Sequence, residues 1–176
     1  MPSLDEWLPE PAIRTHHRRT AATDPARLWE CAARVRLTDT KTLGRLVRWR
    51  IPGTPPQRTF HEVLRDYPFT VLEEREHVLL SGLCGRIWTR ARDYPRLRDP
   101  DEFGRWREPG TVRVLLAHWV HGAPGGRAQI VSEARVAPVD AAAGRRLRAI
   151  WAVVGPFQRL VGAEALAVAA RRAEGR

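Results

Sequence analysis

The chain has 176 residues, 43% of them hydrophobic, which is enough for one domain with a buried core and too many for a disordered protein. Its formal net charge of +10 is compatible with a polyanionic partner. The arginines, however, are spread along the whole sequence, and many stand beside Asp or Glu. Composition therefore favours a globular domain and does not predict a nucleic-acid-binding surface.

The sequence shows no secretory or membrane-spanning signal. Its N-terminus has neither a basic start nor an apolar run. The most apolar long stretch, residues 149–170, contains Arg159 and Glu164, so its charge-free part is much shorter than the roughly 20 residues that a span needs. Cys31 and Cys84 have no metal-type spacing and indicate no disulfide framework. These features predict a reduced, cytoplasmic protein.

The first predicted elements are an arm, a strand and a helix. Residues 1–11 contain three prolines and are expected to form a flexible arm before a single domain over residues 12–174. Residues 12–22 are compatible with an edge strand. A helix follows, because Asp24 is a good N-cap residue and Pro25 suits the first helical position.

The middle of the chain is dominated by strands. Residues 41–50 are predicted to form a second short helix. Between residues 58 and 91, four short apolar runs separated by turn residues predict consecutive antiparallel strands. One helical turn is expected over residues 101–106. Residues 111–122 and 127–139 flank an Ala-Pro-Gly-Gly turn and form the clearest hairpin in the sequence.

The C-terminal segment is predicted to be one long helix. Asp140 is a plausible N-cap residue, and apolar residues then recur at helical spacing to about Ala173. Pro156 would bend this helix, and Gly155 would ease the bend. The apolar stripe is expected to cover the sheet and to border a cavity with three side chains: Trp151, Val154 and Phe157.

This order of elements predicts an α+β fold. A curved antiparallel sheet of about six to seven strands would wrap around the long C-terminal helix, with one or two short helices after the first strand. Such an arrangement leaves room for an internal cavity between the sheet and the helix.

Several segments resemble a known family. They are "AATDPARLWECAARV", "GLCGRIW", "PDEFGRWREPG" and "RRLRAIWAVVGPFQRLVGAEALAVAARRAE". They are similar to the START-like, or SRPBCC, superfamily with the helix-grip fold, which includes polyketide cyclases/dehydrases and lipid-transfer domains, and more narrowly to an uncharacterised bacterial subgroup. The resemblance implies a fold and a ligand cavity. It does not choose between carriers and enzymes, and no catalytic motif of a characterised member matches residue by residue.

His118 is the polar residue that alternation places on the predicted cavity wall. The even-numbered residues of 112–120 are apolar apart from His118, and Leu116 lies on the same face. His118 is either a core histidine bonded to a neighbouring backbone group or a ligand contact or proton shuttle. On the partner strand the same argument predicts that Glu133 and Arg135 point into solvent.

Arg86 and Trp88 form a second candidate pair in "GRIWTR", which is predicted to be a strand. If they face inward, Trp88 could stack on a flat ligand while Arg86 holds an anionic or carbonyl oxygen. If they face outward, the arginine lies along an exposed tryptophan. The alternation favours the second arrangement and the family resemblance the first.

Neither a metal nor a cofactor is predicted. His118 and His121 are separated by three positions on a strand, so they point to opposite faces, and His16 and His17 alternate likewise. No acidic residue has a recognisable ligand spacing, and no nucleophile elbow, Walker loop or dinucleotide fingerprint is present.

The sequence therefore favours a protein that binds or carries a small hydrophobic or aromatic molecule in an internal cavity. A cofactor-free enzyme of the polyketide cyclase/aromatase kind is the first alternative, and it would need at least two polar side chains converging in that cavity. Binding of a polyanion or of a protein partner is the second alternative and depends on charge alone.

Overall fold

A computed structural model describes residues 2–89, 94–161 and 163–175, with the backbone alone at residues 50, 153–154 and 156–161. Within these residues, five strands form one antiparallel sheet in the order β1-β5-β4-β3-β2. The strands are β1 (Ile13–Ala21), β2 (Thr70–Arg75), β3 (Val78–Gly85), β4 (Val112–Ala123) and β5 (Arg127–Pro138).

Seven α-helices accompany the sheet in the described part of the chain. They are α1 (Leu4–Trp7), α2 (Pro25–Ala33), α3 (Leu43–Arg50), α4 (Phe60–Leu64), α5 (Pro100–Arg105), α6 (Ala141–Val161) and α7 (Glu164–Ala173), with one 3₁₀ turn at Leu37–Asp39. The predicted α+β class, with a curved antiparallel sheet and a C-terminal helix, is confirmed.

Among the described residues the strand count is lower than predicted, because residues 58–65 and 86–89 do not form strands. Residues 58–65 contain α4, which a capping box begins: Thr59 Oγ1 accepts from the Glu62 amide, and the Glu62 carboxylate accepts from the Thr59 amide. Strand β3 ends at Gly85, where φ is +134°, and the next strand predicted, which was to contain Arg86 and Trp88, does not form over residues 86–89. A turn follows, in which the Thr89 amide and hydroxyl both donate to the Arg86 carbonyl.

The C-terminal helix begins as predicted but ends differently. The Asp140 carboxylate accepts from the Ala143 amide at 2.8 Å, as an N-cap residue does. The helix then runs through Pro156 to Val161, and a separate helix, α7, begins at Glu164. The prediction of one continuous helix to about Ala173 is therefore wrong, because the chain forms two helices that are separated after Val161.

The two faces of the sheet are covered by different elements. We call the face beneath α2, α6 and α7 the inner face, and the opposite one the outer face. The inner face carries one buried cluster at the hairpin end, with Val120 and Ile130 against α2 and α7. A second cluster at the other end joins Ile13, Val112 and Val136 to Leu147 of α6.

The outer face is buried as well, which overturns the prediction that Glu133 and Arg135 are solvated. They are only 2% and 5% exposed. Helix α1 covers them, and Arg135 donates to the Asp5 carboxylate, the Leu8 carbonyl and the Glu133 carboxylate. Burial opposes ionisation of Glu133, but hydrogen bonds from Arg14 and Arg135 hold its pKa below the ordinary value. The alternation was read correctly, but it could not show that the N-terminal segment covers this face.

Candidate functional site

The centre of the inner face carries a strip of half-buried side chains. Strand register places His17, Ser132 and His118 in one row across the sheet. The next row contains Thr15, Ala134 and Leu116. We call these six residues the central strip. All six are half-buried, although both flanking clusters on the same face are fully buried at their centres.

His118 differs both from a fully exposed and from a fully packed side chain. Burial lowers the pKa of His118 to about 4, yet the residue keeps accessible surface. A side chain on an open surface would be solvated and would keep its ordinary pKa, whereas one packed in a filled core would have no accessible surface. His118 is therefore desolvated but not fully packed.

A second histidine reaches the same region from α4. The capping box at Thr59 begins this helix, and His61 is its second residue. The His61 ring lies 4.7 Å from the Trp29 ring and 5.5 Å from the His118 ring, measured between centroids. His61 is 1% exposed. Burial lowers its pKa to about 3, with smaller contributions from His118 and Arg65.

Both imidazoles are therefore uncharged at neutral pH. A neutral imidazole offers one hydrogen-bond donor and one acceptor. Within the described part of the chain, neither ring nitrogen of His61 has a hydrogen-bond partner, and the same holds for His17 Nε2 and Ser81 Oγ. Ser81 lies in the row of Leu116. Native proteins pair nearly all buried polar atoms, so these four unpaired atoms are candidates to bond a polar group that enters the strip.

The residues predicted from the sequence divide into two groups. Leu116 and His118 lie on the central strip. Trp88 and Trp151 instead pack at the far end of the inner face, in the cluster around Leu147. The Arg146 guanidinium lies 6.0 Å from the centre of the Trp88 ring.

Arg86 is separated from His118 by most of the length of the sheet. His118 pairs with Leu79, and Gly85, just before Arg86, pairs with Val112. Six residues along a strand span about 20 Å, so Arg86 and His118 do not contact one small ligand group together. The side chains of Val154 and Phe157 lie outside the described residues, so their predicted positions stay predictions.

Sequence reasoning missed His61 and His17. The first was missed because residues 58–65 were taken for a strand, although the Thr59-x-x-Glu62 spacing is a helix-start signal. His17 was set aside because it alternates with His16. Its position beside Ser132, in the same row as His118, depends on which strand pairs with β1 and in what register, and neither follows from the composition of β1.

The donor geometry does not indicate a metal site. Among the described residues, no group of three or more His, Cys, Asp or Glu side chains is arranged to hold an ion. Nor is any helix in those residues long and apolar enough to cross a membrane.

The structure is that of an α+β protein. Six half-buried side chains lie at the centre of the inner face of its sheet. No family model matches the chain, and no curated protein matches its sequence. Solved structures do resemble it along nearly its whole length.

A hypothetical protein of Helicobacter pylori is 11% identical, with a TM-score of 0.45 over 96% of this chain and 93% of the other. A protein of Thermus thermophilus is 10% identical, with a TM-score of 0.35 over 93% and 98%. The Zhui aromatase/cyclase of Streptomyces sp. R1128 is 18% identical, with a TM-score of 0.35 over 91% and 94%. Similarities at this level assign no function to the chain.

Proposed function

We propose that this protein binds a small, mostly apolar and uncharged molecule between the central strip and the C-terminal helix. The observation that carries this proposal is the half-burial of all six strip residues between two clusters of the same sheet face that are buried at their centres. Ligand pockets are typically apolar and contain a few polar groups that orient the ligand. Leu116 and Ala134 supply apolar wall, and the histidines and serines supply the polar groups.

The neutral histidines at the strip favour an uncharged ligand over an anionic one. With pKa values of about 4 and 3, His118 and His61 are neutral near pH 7 and provide no positive charge for an anion. An unpaired charged group would also lose its hydration in this enclosed region. A hydroxyl or carbonyl oxygen, in contrast, can bond a neutral imidazole or a serine hydroxyl. The best fit is therefore a neutral molecule with one or a few oxygens.

The same features favour binding over catalysis. A general acid or base works best when its pKa lies near the working pH, and both buried histidines lie well below it. The acids of the nearest edge strand, Glu73 and Glu74, pair with Arg75 and Arg65. A cofactor-free cyclase-like reaction is the second candidate, and the observation in its favour is the His61–His118 ring pair at 5.5 Å.

Native mass spectrometry of freshly purified protein tests the proposal. The wild-type chain is expected to retain a small molecule. Ala134→Phe, which adds a ring at the centre of the strip opposite Leu116, should remove it. Ala149→Phe makes the same substitution at an exposed position of α6 and should leave the bound molecule in place.

If Ala134→Phe folds and retains the molecule as wild type does, binding along the central strip is wrong. Conversion of the retained molecule to a product by the wild-type protein, with loss of conversion in His118→Phe, would favour the enzyme instead.

A further inference from the structure

We propose that helix α3 docks this protein on an anionic membrane surface. One side of α3 presents Arg45, Arg48 and Trp49 at helical spacing, and Lys41 lies just before the helix. We call these four residues the basic face. This proposal does not depend on the ligand proposed above.

The basic face is exposed because the opposite side of α3 holds the helix on the protein. Leu43, Val47 and Ile51 pack against the inner-face cluster at the hairpin end. Trp49 is 73% exposed and is the most exposed large hydrophobic residue in the described part of the chain. An indole this exposed contributes nothing to the core, so its position has no packing explanation.

The three cations of the basic face have no ion-pair partner within the described residues. Surface arginines elsewhere are often paired, as Arg58 is with Asp66 at 2.8 Å. The acids nearest to α3 are already engaged. Asp39 pairs with Arg172 at 2.8 Å, and the Glu164 carboxylate accepts from the amides of Thr42 and Leu43. The positive charge of α3 is therefore not neutralised by its surroundings.

This pattern fits a membrane surface better than a nucleic acid. Tryptophan favours the boundary between headgroups and acyl chains, and arginine stems reach along that boundary while their charged ends stay among the phosphates. Single-stranded nucleic acids are usually held in grooves that present several stacking aromatics. The basic face is one side of a short helix and carries one aromatic ring.

The location of α3 links this surface to the proposed ligand site. Glu164, which caps the start of α3, is also the first residue of α7. The basic face therefore lies beside the junction between α6 and α7, the two helices that follow one another over the inner face. A carrier docked through α3 would hold that junction next to the bilayer.

Co-sedimentation of the full chain with vesicles tests the proposal. Vesicles of phosphatidylcholine alone and vesicles containing phosphatidylglycerol would be compared. Wild type should bind the second kind, and binding should weaken with salt. The charge reversal Arg45→Glu/Arg48→Glu should lower the partition coefficient by at least about tenfold, because each surface cation near an anionic leaflet contributes roughly fivefold. Trp49→Ala should remove the part of the binding that survives high salt.

A matched control separates local docking from net charge. Arg145→Glu/Arg148→Glu makes the same change at the same spacing on α6, where both side chains are exposed. It should alter vesicle binding by no more than about twofold, since it leaves the basic face intact. Equal losses in the two double variants would overturn the proposal in favour of net charge alone. Binding to a single-stranded oligonucleotide but not to anionic vesicles would overturn it in favour of a nucleic acid.

Discussion

The outer face of the sheet is more completely buried than the central strip of the inner face. On the outer face, Leu115 and Ala117 have no exposed surface, and the buried charges Glu133 and Arg135 are fully engaged in ion pairs and hydrogen bonds. On the inner face, Leu116 stays half-buried, and His61 is buried with neither ring nitrogen bonded in the described part of the chain. One strand, β4, thus contributes to both kinds of surface.

This difference in burial between the two faces has a consequence for the free energy of unfolding. Complete burial and the pairing of buried charges raise the free energy of unfolding, whereas an incompletely packed strip with unpaired imidazoles lowers it. Natural proteins keep such defects mainly where a ligand or reaction needs them. The outer face is therefore the more stabilising side of this sheet, and the central strip is the side that binds the ligand in the function proposed above.

The largest expected effect on the free energy of unfolding is found by making a Leu→Ala substitution on each face and comparing the two variants. Leu115→Ala removes a fully buried side chain and should lower the free energy of unfolding by about 3 kcal/mol. Leu116→Ala removes its half-buried neighbour and should cost less than about 1.5 kcal/mol. Urea unfolding of both variants measures the contrast. Equal losses would mean that the central strip is packed as tightly as the outer face.

The next effect concerns the buried charges of the outer face. Arg135→Ala would leave Glu133 buried with fewer partners and should cost about 3 kcal/mol in urea unfolding. The double substitution Glu133→Leu/Arg135→Met removes both buried charges and should cost clearly less. A single variant as stable as wild type would show that α1 and its ion pairs contribute little to this face.

A third effect, absent at neutral pH, is a pH dependence that originates on the inner face. The folded-state pKa values of His118 and His61, about 4 and about 3, lie below the ordinary value of 6.5. Between pH 6.5 and about 4.5 the unfolded chain therefore binds protons that the folded chain does not. Stability should be fully present above pH 6.5 and fall as the pH falls, by up to about 1.4 kcal/mol per pH unit for each histidine.

The variant His61→Phe isolates one of these histidines. This substitution should reduce the slope of the free energy of unfolding against pH by the contribution of one histidine, because phenylalanine does not titrate. Urea unfolding at a series of pH values within this window provides the measurement. An unchanged slope would mean that His61 is not held neutral by burial.

Local signals in the sequence were reliable where one segment decides its own structure. Asp24 and Pro25 begin α2 as expected, with the Asp24 carboxylate accepting from the Arg27 amide at 2.9 Å. The β4–β5 hairpin forms with its predicted alternation. The prediction of a strand at residues 58–65 is wrong, because the Thr59–Glu62 capping box begins a helix there despite the run of apolar residues.

The candidate site could be anticipated only in part. Alternation placed Leu116 and His118 on one face, and they lie on the central strip. Strand register places His17 in the row of His118. The packing of α4 brings His61 to His118. Neither the register nor the packing can be predicted from the residues of one segment.

By itself, the sequence determined the α+β class, the order of its main elements and which residues of each strand share a face, because these depend on spacing and on capping within short segments. Only the tertiary structure decided what covers each face. Helix α1 turns the expected wet surface at Glu133 and Arg135 into a buried ion network. Helix α4 brings His61 to His118. Both results depend on contacts between segments far apart in the chain, which periodicity within one segment cannot specify.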